Sequence, residues 1–325
     1  MKAIVQEVYG SAGTLRFGDI EMPVIGDDAV LVRVRAAGVD PGVWHLMTGR
    51  PYLVRLMGMG VRRPKVPVRG RDLSGVVEAA GSRVTRFRPG DEVYGVTTAG
   101  SFAEYARSRE SHLARKPANL SFEQAAAVPI SGMTALQGLR DVGRVQPGQR
   151  VLVIGAAGGV GSFAVQLAHA FGARVTGMCS TAKIDLVRSI GADDVIDYTR
   201  EEVDARGPQF DLILDTAGRR PVSLLRRGLT PHGTLAIVGG EGGGRWLGGF
   251  DRQILRAPVR SVFSSQRLRA VTAKERSEDL EYLTTLIEEG KVTPVIDRTF
   301  PLREAPEAIR YLAQGHPSGK VVVTI

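Results

Sequence analysis

From Gln149 onward, short apolar runs alternate with longer segments of helical pattern. The runs are Val151–Ile154, Arg174–Cys179, Val195–Asp197, Asp211–Asp215, Thr234–Val238 and Val259–Phe263. Apolar runs flanked by helical segments read as strands covered on both faces, which predicts a doubly wound parallel sheet. The segment after the first run carries Val160, Ala164, Leu167, Ala168 and Phe171, an apolar stripe at helical spacing. Residues 1–120 have a different rhythm, with short strands expected at Ala29–Val34, Ser74–Ala79, Glu92–Val96 and Phe102–Ala106. Turn chemistry at Pro89-Gly90-Asp91 and Ala99-Gly100-Ser101 punctuates them. Beyond residue 270, Thr272-Ala273-Lys274-Glu275 reads as a capping box ahead of a helix carrying Leu280, Leu283 and Ile287. Lys320–Ile325 reads as a strand returning to the first domain. The expected fold class is α/β: a β-rich domain over 1–122 and 270–325, discontinuous in sequence, and a parallel-sheet domain over 123–269.

Composition narrows the class. The 325 residues are 43% hydrophobic and 24% charged, too apolar for a disordered chain and long enough for two domains. Cys179 is the single cysteine, which excludes an intrachain disulfide and any zinc site built from several thiolates. The N-terminus shows no apolar core of signal-peptide length, and no stretch reaches the ~18 apolar residues of a membrane span. A soluble, reduced, cytoplasmic protein is expected.

The strongest local signal is Val151-Leu152-Val153-Ile154-Gly155-Ala156-Ala157-Gly158-Gly159-Val160-Gly161, at the end of an expected strand and the start of an expected helix. Small residues there let backbone approach a pyrophosphate, whose charge the helix N-terminus stabilises. Ala156 replaces the first glycine of the G-x-G-x-x-G frame, so the match is imperfect, and a tight strand–helix turn is the plainer alternative. The second strand bears on which dinucleotide would bind. An NAD site usually ends this strand in an acid that binds the ribose 2′-hydroxyl, whereas the chain reads Met178-Cys179-Ser180-Thr181-Ala182-Lys183. Ser180 as a donor and Lys183 as a point charge suit a 2′-phosphate and favour NADP(H).

With these residues in hand, the chain resembles the zinc-independent quinone oxidoreductase branch of the medium-chain dehydrogenase/reductase superfamily. The resemblance runs through Ala36-Ala37-Gly38-Val39-Asp40-Pro41, Gly70-Arg71-Asp72-Leu73-Ser74-Gly75 and Arg88-Pro89-Gly90-Asp91-Glu92-Val93. It continues through Ala125-Ala126-Ala127-Val128-Pro129, Thr134-Ala135-Leu136, the glycine loop, Gly191-Ala192-Asp193 and Gly319-Lys320-Val321-Val322. It implies a GroES-like catalytic domain, a Rossmann domain and a cleft between them for NADPH. It also implies Ser180 and Lys183 at the 2′-phosphate, Tyr198 on the adenine side and Thr134 near the nicotinamide. Thr216, Val238, Gly239, Phe263 and Ser265 would border the ribose and nicotinamide. Many members carry Asn where Asp40 stands and Tyr near His45. Asp40 and His45 are therefore candidates for a proton relay, against the plainer reading of a helix cap and a wall residue.

Zinc members of the superfamily use Cys where Asp40 stands and a His-Glu pair where Arg71-Asp72 stands. A guanidinium is no substitute for an imidazole ligand, so no metal is expected. Without a Lewis acid, hydride addition to an electron-poor acceptor is easier than deprotonation of an unactivated alcohol. The expected enzyme is an NADPH-dependent reductase of quinones or α,β-unsaturated carbonyls. The alternatives are a zinc-free NADP-dependent alcohol or aldehyde dehydrogenase, or a non-catalytic NADPH-binding or nucleic-acid-binding protein.

The net charge of +9 is local: residues 50–71 carry +7 with no acid, residues 245–269 carry +5, and the rest of the chain is −3. The first window reads either as an amphipathic flap over the substrate cleft or as a solvated loop. Aromatics are only 6% and do not interleave with the charges, which argues against a nucleic-acid stacking platform. The expected partners are a small carbonyl or quinone substrate and, by resemblance at Val259–Phe263, a second copy of the chain in a homodimer. Neither nucleic acid nor membrane is expected.

Overall fold

A computed structural model describes residues 1–52, 55–205, 207–239, 265–315 and 317–325. The expected strand Val259–Phe263, its homodimer edge, the site residue Phe263 and most of the second basic window lie outside them. The chain forms two compact units. Unit 1 comprises Met1–Met133, Glu275–Gly290 and Pro294–Ile325; unit 2 comprises Thr134–Lys274 and Lys291–Thr293.

Among the described residues, unit 2 holds a six-stranded sheet of β8 (Arg150–Ile154), β9 (Arg174–Cys179), β10 (Asp194–Asp197), β11 (Phe210–Asp215), β12 (Leu229–Ile237) and β13 (Arg267–Ala270). Its order is β10-β9-β8-β11-β12-β13 with every pairing parallel, the doubly wound arrangement whose order reverses between β8 and β11. Leu152, Ile154, Met178, Ile213, Leu235 and Ile237 fill its core, which is why these strands read as apolar runs. The sixth described strand begins at Arg267.

Unit 1 holds a sheet in the order β14-β15-β3-β4-β5-β7, with β6 also pairing β3. Its members are β3 (Ala29–Val39), β4 (Asp72–Ala80), β5 (Glu92–Val96), β6 (Tyr105–Arg109), β7 (Leu113–Arg115), β14 (Ile296–Pro301) and β15 (Lys320–Thr324). A separate hairpin joins β1 (Lys2–Val5) to β2 (Arg16–Asp19). The tail strand β15 runs antiparallel to β3, with Val321 opposite Val39 and Thr324 opposite Ala36.

Two expectations shift. The strand expected at Phe102–Ala106 forms at Tyr105–Arg109, because Phe102 exchanges backbone bonds with Ile4 and Arg69 instead. The expected capping box at 272–275 does not form: the helix runs Ser277–Glu288 with Arg276 as its N-cap and no side-chain cap bond. Glu275 is drawn into an ion pair with Arg71. Leu280, Leu283 and Ile287 are buried, and the Tyr94 hydroxyl donates to Leu280 O at 2.6 Å, fixing this helix to the unit 1 sheet.

Candidate active site

In unit 2 the carboxyl ends of β8, β9, β11 and β12 gather most of the expected cofactor residues. The chain leaves β8 through Gly155, whose φ of +76° only glycine adopts without strain and where a Cβ would stand 2.7 Å from Thr216 Oγ1. Gly155 N and Ala156 N both donate to Met178 O at 3.1 Å, tying the loop to β9. Ala156 and Ala157 are buried, while Gly158, Gly159 and Val160 are half-exposed. The following helix, Gly159–Ala170, has Gly158 as N-cap and no side-chain cap bond. Its leading N–H groups lack intrahelical partners, which is the arrangement that receives a phosphate. At Gly161 a Cβ would overlap the Gly155 carbonyl oxygen, so glycine lets helix and loop touch.

At the end of β9, Ser180 caps a short turn over Thr181–Lys183 and its carbonyl accepts from Lys183 N at 2.9 Å. Tyr198 N donates to Cys179 O at 3.1 Å, which brings the exposed Tyr198 ring beside this turn; Arg220 stacks on that ring at 5.7 Å. Asp197, at the end of β10 opposite Cys179, carries no motif that marks it in the sequence. Its carboxylate accepts from Thr181 Oγ1 at 2.5 Å and from Thr199 Oγ1 at 2.7 Å, and lies 3.7 Å from Arg200 Nε. These hydroxyls hold its pKa below the usual range.

Thr216 Oγ1 donates to Ile154 O at 2.7 Å, and Val238 N and Gly239 N donate to Asp215 O at 2.9 and 3.1 Å. Thr216, Val238 and Gly239 thus border the glycine loop across the switch point. Ser265 is not brought there. It precedes β13 and donates to Pro231 O at 2.5 Å, towards the amino ends of these parallel strands. Thr134 is buried in the helix Pro129–Gln137.

In unit 1, Asp40 is the N-cap of the helix Pro41–Thr48 and its Oδ1 accepts from Gly42 N at 2.7 Å. Asp40 Oδ2 is buried with no hydrogen-bond partner among the described residues. His45 Nδ1 lies 2.7 Å from Arg50 O; since a carbonyl only accepts, Nδ1 carries the hydrogen of that contact. Five residues beyond the cap, His45 is turned roughly 140° from Asp40 around the helix axis.

A group the sequence did not reveal lies behind Asp40. Asp72 and Lys320 are both fully buried, with Nζ 3.1 Å from Asp72 Oδ2 and from Ser131 Oγ. Asp72 Oδ1 accepts from Ile130 N at 3.0 Å. Burial pushes the Asp72 carboxyl up; the Lys320 ammonium opposes that rise and the Asp40 carboxyl adds to it. The adjacent Arg71 pairs with Glu275, whose other oxygen lies 3.8 Å from His112 Nδ1.

Comparison with known proteins bears on these arrangements. Residues 26–118 match the alcohol dehydrogenase GroES-like domain and residues 190–323 match the zinc-binding dehydrogenase domain. The chain is 34% identical, over 99% of its length and 79% of the relative's, to a 2-methylene-furan-3-one reductase of Solanum lycopersicum. Identity and coverage are the same for the chloroplastic NADPH-dependent alkenal/one oxidoreductase of Arabidopsis thaliana. The structure of the quinone oxidoreductase from Coxiella burnetii superposes with a TM-score of 0.85 at 27% identity, covering 100% of this chain and 99% of that one.

The zinc named in the second domain description does not suit the residues present. By the superfamily resemblance the Arg71 guanidinium stands where zinc members carry an imidazole, and here it pairs with Glu275, while the neighbouring Asp72 carboxylate pairs with a buried ammonium.

Proposed function

The chain belongs to the medium-chain dehydrogenase/reductase superfamily, among its quinone-oxidoreductase-like members, and on that premise we propose that it is an NADPH-dependent reductase of quinones or α,β-unsaturated carbonyls. The observation that carries this reading is the glycine loop with its uncapped helix start, beside Ser180 and Lys183, which follow β9 where an NAD site usually has its acid, and Tyr198, which follows β10. Backbone N–H groups of residues 159–161 receive the pyrophosphate, the Gly155 and Gly161 contacts keep that approach open, and Thr216, Val238 and Gly239 border the ribose. Ser180 and Lys183 take the 2′-phosphate, while the Thr181 and Thr199 hydroxyls hold the Asp197 carboxylate.

When bound, the dihydronicotinamide supplies the hydride. The substrate carbon that accepts it leaves an oxyanion delocalised over a conjugated system, so hydrogen-bond donors and one proton complete the reduction without a Lewis acid. That proton comes from His45 or from water. Asp40, capping the helix that carries His45, sets the start of that helix.

The test is NADPH consumption by the purified full chain across quinones, enones, aldehydes and alcohols, with and without chelator. Turnover of quinones or enones that chelator leaves unchanged is expected; oxidation of alcohols alone would overturn the proposal. Lys183→Ala should raise the Kd for NADPH about tenfold, the worth of one charge-assisted contact, and leave that for NADH unchanged. Equal loss for both would remove Lys183 from the 2′-phosphate site.

A further inference from the structure

The structure carries a second surface, in unit 1, that the reductase reading does not use. Among the described residues nine large hydrophobic side chains are exposed, and four of them sit in two neighbouring segments: Val8 at 58%, Leu56 at 68%, Met59 at 40% and Val61 at 62%. The Tyr9 hydroxyl joins the segments by hydrogen-bonding Met59 O at 2.8 Å and Gly60 O at 2.6 Å. Arg55 packs over Tyr9 at 4.3 Å and Tyr52 at 4.9 Å, and its Nε donates to Gly49 O at 2.9 Å. Lys65 N donates to Met59 O at 2.9 Å, closing residues 60–64 into a loop that presents Val61, Arg62 and Arg63.

Among the described residues, some cations of unit 1 are held in ion pairs, and those of this acid-free loop are not. Arg16, Arg86 and Arg115 each pair with a carboxylate. Arg62, Arg63 and Lys65 are exposed and form no ion pair among the described residues, and residues 50–71 contain no acid. A cavity of about 520 Å³ opens beside them, bordered by Gln6 and Glu7 on the other side. Glu7 is itself committed to Arg16. Exposed apolar side chains among unpaired cations, beside a hollow of that size, match the chemistry of an anionic lipid surface: acyl chains for Leu56, Met59 and Val61, headgroup phosphates for the cations.

We propose that the Val8 and Leu56–Lys65 surface docks the protein peripherally on bilayers that carry anionic phospholipid. No helix among the described residues is long and apolar enough to cross a membrane, and surface docking requires none. Nucleic acid is disfavoured because Arg55 already occupies one face of each of the rings Tyr9 and Tyr52, and no aromatic side chain lies among the loop cations at 60–65.

The test is co-sedimentation of the full chain with phosphatidylcholine vesicles and with vesicles containing about one-third phosphatidylglycerol, at low and physiological salt. Binding to the anionic vesicles alone, weakened by salt, is expected. Each cation near such a surface is worth roughly fivefold in affinity, so the triple variant R62E/R63E/K65E should lose at least a hundredfold. The variant L56S/V61S keeps every charge and should lose about tenfold; both alter exposed side chains, and circular dichroism checks their folding. Failure of the parent chain to sediment, or triple-variant binding equal to the parent's, overturns the proposal. So does L56S/V61S binding equal to the parent's together with equally tight binding of double-stranded DNA, which would mark the loop as a general polyanion patch. None of these readouts depends on reductase activity.

Discussion

In the glycine loop of unit 2 the groups offered to a ligand are backbone N–H groups, whereas around Asp40 and Asp72 in unit 1 they are side chains. The loop contains no ionisable residue between Gly155 and Gly161, and its turn is set by its own glycines and by backbone bonds to Met178 O. The unit 1 cluster joins Asp40, Asp72, Ser131 and Lys320, which the chain delivers from four separate segments, and its balance depends on full burial of opposite charges. Losing a charge is therefore severe in the second region, and adding a carbon atom is severe in the first.

The largest effect is expected at Lys320. Lys320→Met leaves Asp72 buried without its ammonium and should destabilise unit 1 by ~3–5 kcal/mol. Adding Asp72→Leu removes the stranded charge and should restore most of that loss, since apolar replacements of both partners often cost little. Urea unfolding followed by tryptophan fluorescence reads both variants. A single variant as stable as the double would show that the cluster is not held by its charge balance.

Gly161→Ala tests the loop in the complementary way. Its Cβ would overlap the Gly155 carbonyl oxygen, so helix and loop must separate, at about 1–3 kcal/mol of overpacking and with NADPH binding weakened at least tenfold. Gly158→Ala places its Cβ 3.3 Å from the same oxygen and should change NADPH binding far less. Calorimetric titration of the two variants settles the contrast. Equal losses would mean that the loop tolerates displacement and that the tight contact at Gly161 has no role in binding.

The two regions also differ in how far sequence alone exposes them. β9 runs Arg174–Cys179 as its apolar run predicts, because a strand covered on both faces reports its bounds directly in hydropathy. The turn chemistry of Gly155–Gly161 is equally local. The Asp72–Lys320 pair spans 248 positions, and no spacing rule links them. The half-exposed strand Ile296–Pro301 and the hairpin of β1 and β2 leave no mark in the hydropathy pattern, since neither shows a continuous apolar run. Glu275 reads locally as a capping residue, yet a tertiary partner, Arg71, takes it. The family resemblance places Ser265 beside the ribose and nicotinamide, but the register of β12 and β13 sets it towards the other end of the strands.

The smallest expected effect separates the regions by pH. His112, beside Glu275 and Arg71, has its pKa lowered first by burial and then by the Arg109 and Arg71 charges. Glu275 lies 3.8 Å from Nδ1, but its charge is engaged by Arg71 and does not reverse the shift. A histidine with a depressed folded pKa binds fewer protons in the folded state than in the unfolded state over the window below ~6.5. Its contribution is therefore fully present above pH ~6.5 and is lost as pH falls towards the folded value. Unfolding midpoints at pH 7.5 and 5.5 should consequently differ less in His112→Gln than in the parent chain, because the variant has no proton to take up there. The loop, free of ionisable groups, contributes nothing to that difference, so Gly161→Ala should keep the parent's pH dependence even though it is less stable. If His112→Gln retained the parent's full pH dependence, the titrating group would lie elsewhere and the Arg71–Glu275–His112 contact would be neutral towards pH.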